Sequence, residues 1–151
     1  MKSLTFEPQL VAPCGMNCAV CSGYLAFAHD IKKEGIRMPY CAGCRPRDKK
    51  CAFLKKKCGT LLKKKVKYCF ECEDFPCKNL EHIDRRYREL FRMSLINNLR
   101  SIKKNGILKF LELQEKEWLC PKCGDVICCH NGICYGCGLC TLKKKKEKYR
   151  W

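Results

Sequence analysis

The sequence predicts a small metal-stabilised α+β protein, with an irregular cysteine-rich N-terminal module, a helical connector and a C-terminal zinc ribbon. Three observations support this prediction: 17 cysteines in 151 residues, six cysteine pairs spaced C-x2-C, and one long cysteine-free stretch with helical periodicity. Thiols paired at that spacing form knuckles, each supplying two ligands to a tetrahedral metal site. A chain of this length suits one domain or two small modules.

Cysteine content divides the chain into four segments. Residues 1–77 carry ten cysteines, residues 78–118 carry none, residues 119–142 carry seven, and residues 143–151 form a basic tail. The N-terminal segment has few large apolar side chains between residues 41 and 77, so we expect it to need metal cross-links to offset the entropy lost on ordering.

The cellular location is predicted from the N-terminus and from the cysteine content. No sustained apolar run follows Lys2, so no export signal is evident. The longest apolar run, residues 19–28, is too short to cross a bilayer. We therefore expect a reducing cytoplasmic location, where thiols bind metals more often than they form disulfides, and no membrane partner.

The cysteine-free connector is predicted to be an amphipathic helix over residues 79–106. Apolar side chains recur at three- and four-residue steps along it: Leu80, Ile83, Tyr87, Leu90, Phe91, Leu95, Leu99 and Ile102. Asn105–Gly106 supplies a left-handed stop, and a second helix is expected over residues 107–118.

The clearest metal site is predicted in the C-terminal segment, where CPKCG and CYGCG form two knuckles separated by ten residues. The glycine after each knuckle permits the tight turn whose backbone N–H groups bond to sulfur. A closed, structural Zn²⁺ site is the expected result, although a single iron of the rubredoxin type suits the same thiols. The four expected ligands are Cys120, Cys123, Cys134 and Cys137.

Three cysteines of this segment fall outside that set, namely Cys128, Cys129 and Cys140. The adjacent pair Cys128–Cys129 is interpreted as packing residues with one spare thiol. His130, next to Asn131–Gly132, is interpreted as a turn residue, with substitution for a cysteine ligand as the alternative.

The N-terminal module offers ten thiols, which suit two four-ligand sites with two to spare. Zn²⁺ and a [4Fe-4S] cluster both accept thiolates in this number, and the spacing leaves the pairing open. A short helix is expected directly after Cys21. The candidate ligands are Cys14, Cys18, Cys21, Cys41, Cys44, Cys51, Cys58, Cys69, Cys72 and Cys77.

The first three of these cysteines have the spacing C-x3-C-x2-C, with which radical enzymes hold a [4Fe-4S] cluster against S-adenosylmethionine. Such enzymes use a full or partial β/α barrel of roughly 200 residues. Too few residues follow Cys21 for a barrel, and no strand–helix repeats occur among them. No phosphate loop, Ser/His/Asp set or paired carboxylates appear either, so the sequence favours a protein without catalytic activity and indicates no small-molecule substrate.

The net charge of +17 points to an anionic partner, either a nucleic acid or an acidic protein. Basic runs occur at residues 55–65 and 143–150, and Tyr68, Tyr149 and Trp151 are candidates for stacking on bases. Part of the excess balances the metal sites, because Zn²⁺ or [4Fe-4S]²⁺ bound by four thiolates keeps two negative charges.

Four motifs resemble a widespread family of small cysteine-rich prokaryotic proteins of unknown function: APCGMNCAVCSGY, CAGCR, CFECEDFPCKNL, and EWLCPKCG with ICYGCG. The resemblance covers most of residues 11–138 and implies no activity. The Cys128–Cys129 pair and the lysine-rich tail are not part of the shared pattern. The resemblance implies metal-binding cysteines at Cys14, Cys18, Cys21, Cys41, Cys44, Cys69, Cys72 and Cys77.

The function favoured by the sequence is a non-catalytic metal-binding protein, held mainly by structural zinc, that acts as a binding or adaptor module with a basic surface. The alternative is an iron–sulfur protein in electron transfer or redox sensing. A nucleic-acid-binding factor is the third hypothesis.

Overall fold

The structure, a computed structural model, describes residues 6–43 and 67–151. The candidate ligands Cys44, Cys51 and Cys58 and the basic run 55–65 lie outside the described residues. Regular structure within the described ranges is mostly helical. The α-helices are α1 (Ser22–Ala28), α2 (Lys78–Leu90), α3 (Leu95–Asn105), α4 (Ile107–Trp118) and α5 (Leu139–Lys144), and short 3₁₀ turns lie at Pro8–Leu10, Cys18–Val20, Ile31–Glu34 and Cys69–Glu71.

The β component expected from the sequence is small in the described ranges. It consists there of three isolated antiparallel bridges, Val11 with Asn17, Leu119 with Val126, and Ile127 with Cys134. The helical part of the α+β prediction is therefore what the structure supports.

The short helix expected after Cys21 is confirmed as α1, which begins at Ser22. A 3₁₀ turn precedes it, and the Asn17 side chain caps that turn by accepting a hydrogen bond from the Ala19 N–H at 3.1 Å. The polar side chain at the start of the turn satisfies a backbone donor that the turn leaves unpaired.

The single connector helix predicted over residues 79–106 is wrong, because the structure contains two helices there. Helix α2 ends at Leu90, Arg92 takes a left-handed backbone conformation with φ 53°, and α3 begins at Leu95. Ser94 caps α3 by accepting a hydrogen bond from the Asn97 N–H at 3.1 Å. The helix predicted over residues 107–118 is confirmed as α4, and Gly106 before it has φ 85°.

A buried carboxylate fixes the corner between α2 and α3. Asp84 is 3% exposed, and its oxygens accept hydrogen bonds from the Ser94 hydroxyl at 2.8 Å and the Ile96 N–H at 2.9 Å. Arg88 Nε donates to the same carboxylate at 2.8 Å. The carboxylate therefore exchanges its hydration for three donors, two of them at the start of the next helix.

The helices form the platform on which the cysteine-bearing segments pack. At Gly15, which has φ 91°, an added Cβ would lie 2.5 Å from the Leu95 carbonyl oxygen, so only glycine permits this approach. The Asn98 side chain donates to the Gly15 carbonyl at 2.9 Å. One cluster of buried side chains joins residues from all parts of the described chain, including Val11, Leu80, Leu99, Tyr135 and Leu142.

Substitution of Asp84 by Ala should destabilise the protein by roughly 2–4 kcal/mol, because it leaves buried donors unpaired at the α2–α3 corner. Denaturant unfolding followed by helical circular dichroism measures the change. Glu89→Ala is the control, since Glu89 is exposed and pairs with Arg85 at 3.5 Å on the same helix. The control should lose at most about 1 kcal/mol. Equal losses in the two variants would contradict this role for Asp84.

Candidate metal centre

Four thiols converge between the end of α4 and the start of α5, and we call this set the C-terminal cysteine cluster. Its sulfur atoms all lie within 4.8 Å of one another, with 3.8 Å between Cys120 and Cys137 and 3.4 Å between Cys123 and Cys134. Four sulfurs bound at about 2.3 Å around a tetrahedral ion stand about 3.8 Å apart. The cluster therefore has the size and ligand number to hold one metal ion.

Each half of the cluster is a tight turn closed by a glycine. The Gly124 N–H donates to the Cys120 carbonyl at 2.8 Å, and the Gly138 N–H donates to the Cys134 carbonyl at 2.7 Å. Gly124 has φ 78°, and a Cβ at Gly138 would lie 2.6 Å from the Cys134 carbonyl oxygen. The glycine in each C-x2-C-G motif is thus required by the backbone that brings its two thiols together.

Backbone amides favour the ionised form of one thiol. The N–H groups of Cys123 and Lys122 point at the Cys120 sulfur and lower the pKa of Cys120 to about 7. Burial raises the pKa of Cys134 to about 12. Four thiolates at these distances repel one another, so the full set ionises only around a cation, and binding of a metal releases protons.

The segment between the two turns contains local pairings that bring them together. Ile127 N–H donates to the Trp118 carbonyl at 2.8 Å, and Tyr135 N–H donates to the Val126 carbonyl at 3.2 Å. These contacts accompany the isolated bridges after α4, and in the part of the chain that the structure describes they do not extend into strands. The four predicted ligands are brought together without a full ribbon.

The N-terminal candidate ligands are placed differently. In residues 6–43 and 67–151, the C-terminal cysteine cluster is the one set of three or more Cys, His, Asp or Glu side chains whose ligand atoms lie within 4.8 Å of one another. The N-terminal thiols that the structure describes are therefore not gathered around a single-ion centre by themselves. Cys14, Cys18 and Cys69 are buried, while Cys21, Cys41, Cys72 and Cys77 are half-buried.

Two of these thiols have local structural contacts. The Cys69 N–H donates to the Pro13 carbonyl at 2.8 Å, which brings the CFEC turn next to the CGMNCAVC segment. The Cys77 sulfur accepts a hydrogen bond from the Leu80 N–H at 3.4 Å and so caps α2. Capping of a helix by Cys77 was not evident from the cysteine spacing.

The sequence places Cys128, Cys129 and Cys140 outside the predicted ligand set, and the Cys128–Cys129 pair is interpreted there as packing residues with one spare thiol. Cys140 is exposed at the start of α5, whereas Cys128 and Cys129 are fully buried. His130 is also buried, and burial lowers its pKa to about 4, so the imidazole is neutral near pH 7. Adjacent cysteines fit no knuckle spacing, so the sequence carried no signal for their surroundings.

Comparison with known proteins gives one match. Residues 10–82 match the family described as "Protein of unknown function (DUF3795)". The matched part contains the CGMNCAVC and CFECEDFPC motifs, and the C-terminal cysteine cluster lies outside it. No curated protein and no solved structure matches the chain. The resemblance to a cysteine-rich family of unknown function is thus supported for this part of the chain.

A helix that crosses a bilayer must be both long and apolar. No helix in residues 6–43 or 67–151 combines the length and the apolar character that a membrane span needs.

Substitution of Cys123 by Ser should weaken zinc binding at the C-terminal cysteine cluster by more than about 100-fold, because loss of a direct ligand exceeds the effect of losing a supporting group. Competition with a chromogenic chelator measures this affinity. Cys140→Ser is the matched control, since Cys140 is also exposed and lies three residues beyond Cys137. Equal zinc affinity in the two variants would rule Cys123 out as a ligand.

Proposed function

We propose that the protein is a non-catalytic binding module whose C-terminal part is held by a structural Zn²⁺ at the C-terminal cysteine cluster. The observation that carries this proposal is the convergence of four thiol sulfurs within 4.8 Å. Four thiolates complete the coordination of a tetrahedral ion and leave no position for a substrate. Zinc suits this ligand set because it has no geometric preference that opposes a tetrahedron.

The position of the cluster explains how an ion would stabilise the fold. Trp118, at the end of α4, is 4% exposed, and Leu142, in α5, is fully buried. Both side chains belong to the common core, and the cluster lies on the chain between them. An ion there would fix the intervening loop against a core that already anchors both of its ends, which reduces the entropy that the loop retains.

Removal of zinc should loosen this loop while leaving the helical platform folded. Hydrogen exchange of the zinc-loaded chain, with and without excess chelator, provides the test. We expect amides in residues 119–138 to lose protection by tenfold or more, and amides in α2 and α3 to keep theirs. If the chelator removes the zinc and the hydrogen-exchange rates do not change, the ion is not structural. A chain purified anaerobically with iron and no zinc in the cluster would also contradict the proposal.

A second candidate function, binding to the phosphate backbone of a nucleic acid, is favoured by a cleft of about 690 Å³ between α2 and α3. Asp84 pairs with Arg88, and Glu81 is the other acidic side chain of the lining. Lys78, Arg85 and Arg100 therefore leave an excess of positive charge at the cleft. The basic and imidazole side chains that line it are Lys78, His82, Arg85, Arg88 and Arg100.

The aromatic side chains favour contact with phosphates over stacking with bases. Tyr68 is buried and stacks on Phe70 with 5.3 Å between ring centroids. Trp151 donates its indole N–H to the Cys129 carbonyl at 2.9 Å, and the Arg92 guanidinium lies 4.0 Å from the centre of its ring. Because the Tyr68 ring is buried and the exposed Trp151 ring is already in contact with Arg92, binding would depend on charge and therefore on salt concentration.

Reversal of two cleft charges should weaken this binding. Anisotropy of a labelled single-stranded oligonucleotide at two salt concentrations measures the affinity of wild type and of Arg85→Glu/Arg100→Glu. We expect at least a tenfold loss and a shallower dependence on salt. Lys109→Glu/Lys116→Glu is the control, since it makes the same change in net charge on α4, outside the cleft. Equal losses in both double variants, or no binding by wild type at low salt, would contradict a site in the cleft.

A further inference from the structure

The end of the CGMNCAVC segment meets the C-terminal segment beside α2. Cys129 N–H donates to the Val20 carbonyl at 2.9 Å, and Ser22 N–H donates to His130 Nδ1 at 3.2 Å. These two hydrogen bonds lie on the two sides of Cys21, directly before and after it in the sequence. Cys129 and His130 therefore run alongside the last cysteine of the CGMNCAVC motif.

The sulfur of Cys129 lies on the side of this junction that carries the His130 ring. It is 3.7 Å from His130 Nδ1, the same nitrogen that faces the Ser22 N–H. Because Nδ1 accepts that hydrogen bond, the ring hydrogen of the neutral imidazole lies on Nε2. Nε2 is 3.4 Å from the Tyr87 hydroxyl. Because both ring nitrogens of His130 already have hydrogen-bond partners, the Cys129 thiol is the group at this junction that is suited to bind a metal.

Each of the other two cysteines of the motif lies in a short turn closed by a backbone hydrogen bond. The Ala12 N–H donates to the Met16 carbonyl at 2.8 Å and closes the turn that carries Cys14. The Cys21 N–H donates to the Cys18 carbonyl at 3.0 Å and closes the next turn. Cys14 and Cys18 are each 3% exposed, so their thiols face the protein interior.

Tyr87 of α2 packs against His130, with 5.8 Å between the ring centroids. The pKa of Tyr87 is raised well above the ordinary value, first by burial and then by the nearby charges of thiolates. Cys14, Cys18 and Cys129 belong to one cluster of buried side chains, and Cys21 and Tyr87 pack against that cluster. Phe91 also packs against His130, with its ring centroid 4.6 Å from that of His130.

We propose that Cys14, Cys18, Cys21 and Cys129 form a second metal site, separate from the C-terminal cysteine cluster, and that this site holds a [4Fe-4S] cluster. The first three have the C-x3-C-x2-C spacing that suits such a cluster, and the junction beside Cys21 brings in the fourth. No three of them have sulfurs mutually within 4.8 Å, unlike the thiols of the C-terminal cysteine cluster. A cubane accepts this wider spacing, because each thiolate binds a different iron.

A fourth protein thiolate also determines what this cluster can do. Radical enzymes leave one iron without a protein ligand so that S-adenosylmethionine can bind to it. Here Cys129 would occupy that iron, so the site would hold a closed cluster. The Trp151 indole lies beside Cys129, since its N–H donates to the Cys129 carbonyl at 2.9 Å.

The test is anaerobic reconstitution of the full zinc-loaded chain with ferrous iron and sulfide. Iron and acid-labile sulfide are then measured, and electron paramagnetic resonance spectra are recorded after reduction with dithionite. Wild type should bind about four iron and about four sulfide per chain beside its zinc. Cys129→Ala should lose most of this iron. Cys128→Ala is the matched control, since the neighbouring Cys128 is equally buried, and it should keep the iron.

Three outcomes would overturn the proposal. One is full iron binding by folded Cys129→Ala, and another is a second zinc in wild type with no iron uptake. If Cys129→Ala does not fold, Cys129→Ser decides, because serine keeps a small polar group at the same place. Cys129→Ser should lose iron or change the electron paramagnetic resonance spectrum. The third outcome that would overturn the proposal is full iron binding by Cys129→Ser with an unchanged spectrum. Cys123→Ser distinguishes the two sites, since it should lose zinc and keep iron.

Discussion

Four thiolate sulfurs cannot occupy a space a few ångströms across unless a cation lies between them. The arrangement at the C-terminal cysteine cluster depends on this constraint, since its sulfurs lie within 4.8 Å of one another. Two glycine-closed turns make the approach possible, and the backbone amides that face Cys120 begin to compensate for its charge. An ion bound by the four thiols would fix the two turns of the loop from residue 119 to residue 138, while Val126 and Tyr135 anchor the loop in the common core.

The helical platform is held by different interactions. Apolar side chains of α2, α3 and α4 form the common core, and the Asp84 carboxylate sets the corner between α2 and α3. The N-terminal segment lies on this platform through Gly15 and through a hydrogen bond from Asn17 to Gln114 at 3.2 Å. Apolar burial thus holds the platform without a metal, and loss of an ion from the C-terminal cysteine cluster need not unfold the helices.

Sequence patterns predicted what depends on local spacing. The two knuckles identified the four thiols that converge, and apolar periodicity with Gly106 placed α4 at residues 107–118. The same periodicity missed the break before α3, because the apolar residues continue across it while Ser94 begins a new helix. The neighbourhood of Cys129 could not be read from spacing either. It depends on contacts between residues far apart in the sequence, such as Ser22 and His130, which are separated by 108 positions.

X-ray absorption at the zinc edge of the anaerobically purified chain tests the central claim most directly, because it reports the atoms bound to the metal. We expect one zinc environment with four sulfur neighbours at about 2.3 Å and no nitrogen or oxygen ligand. A zinc environment with nitrogen or oxygen neighbours, or a chain that contains no zinc, would contradict a closed four-thiolate centre at the C-terminal cysteine cluster.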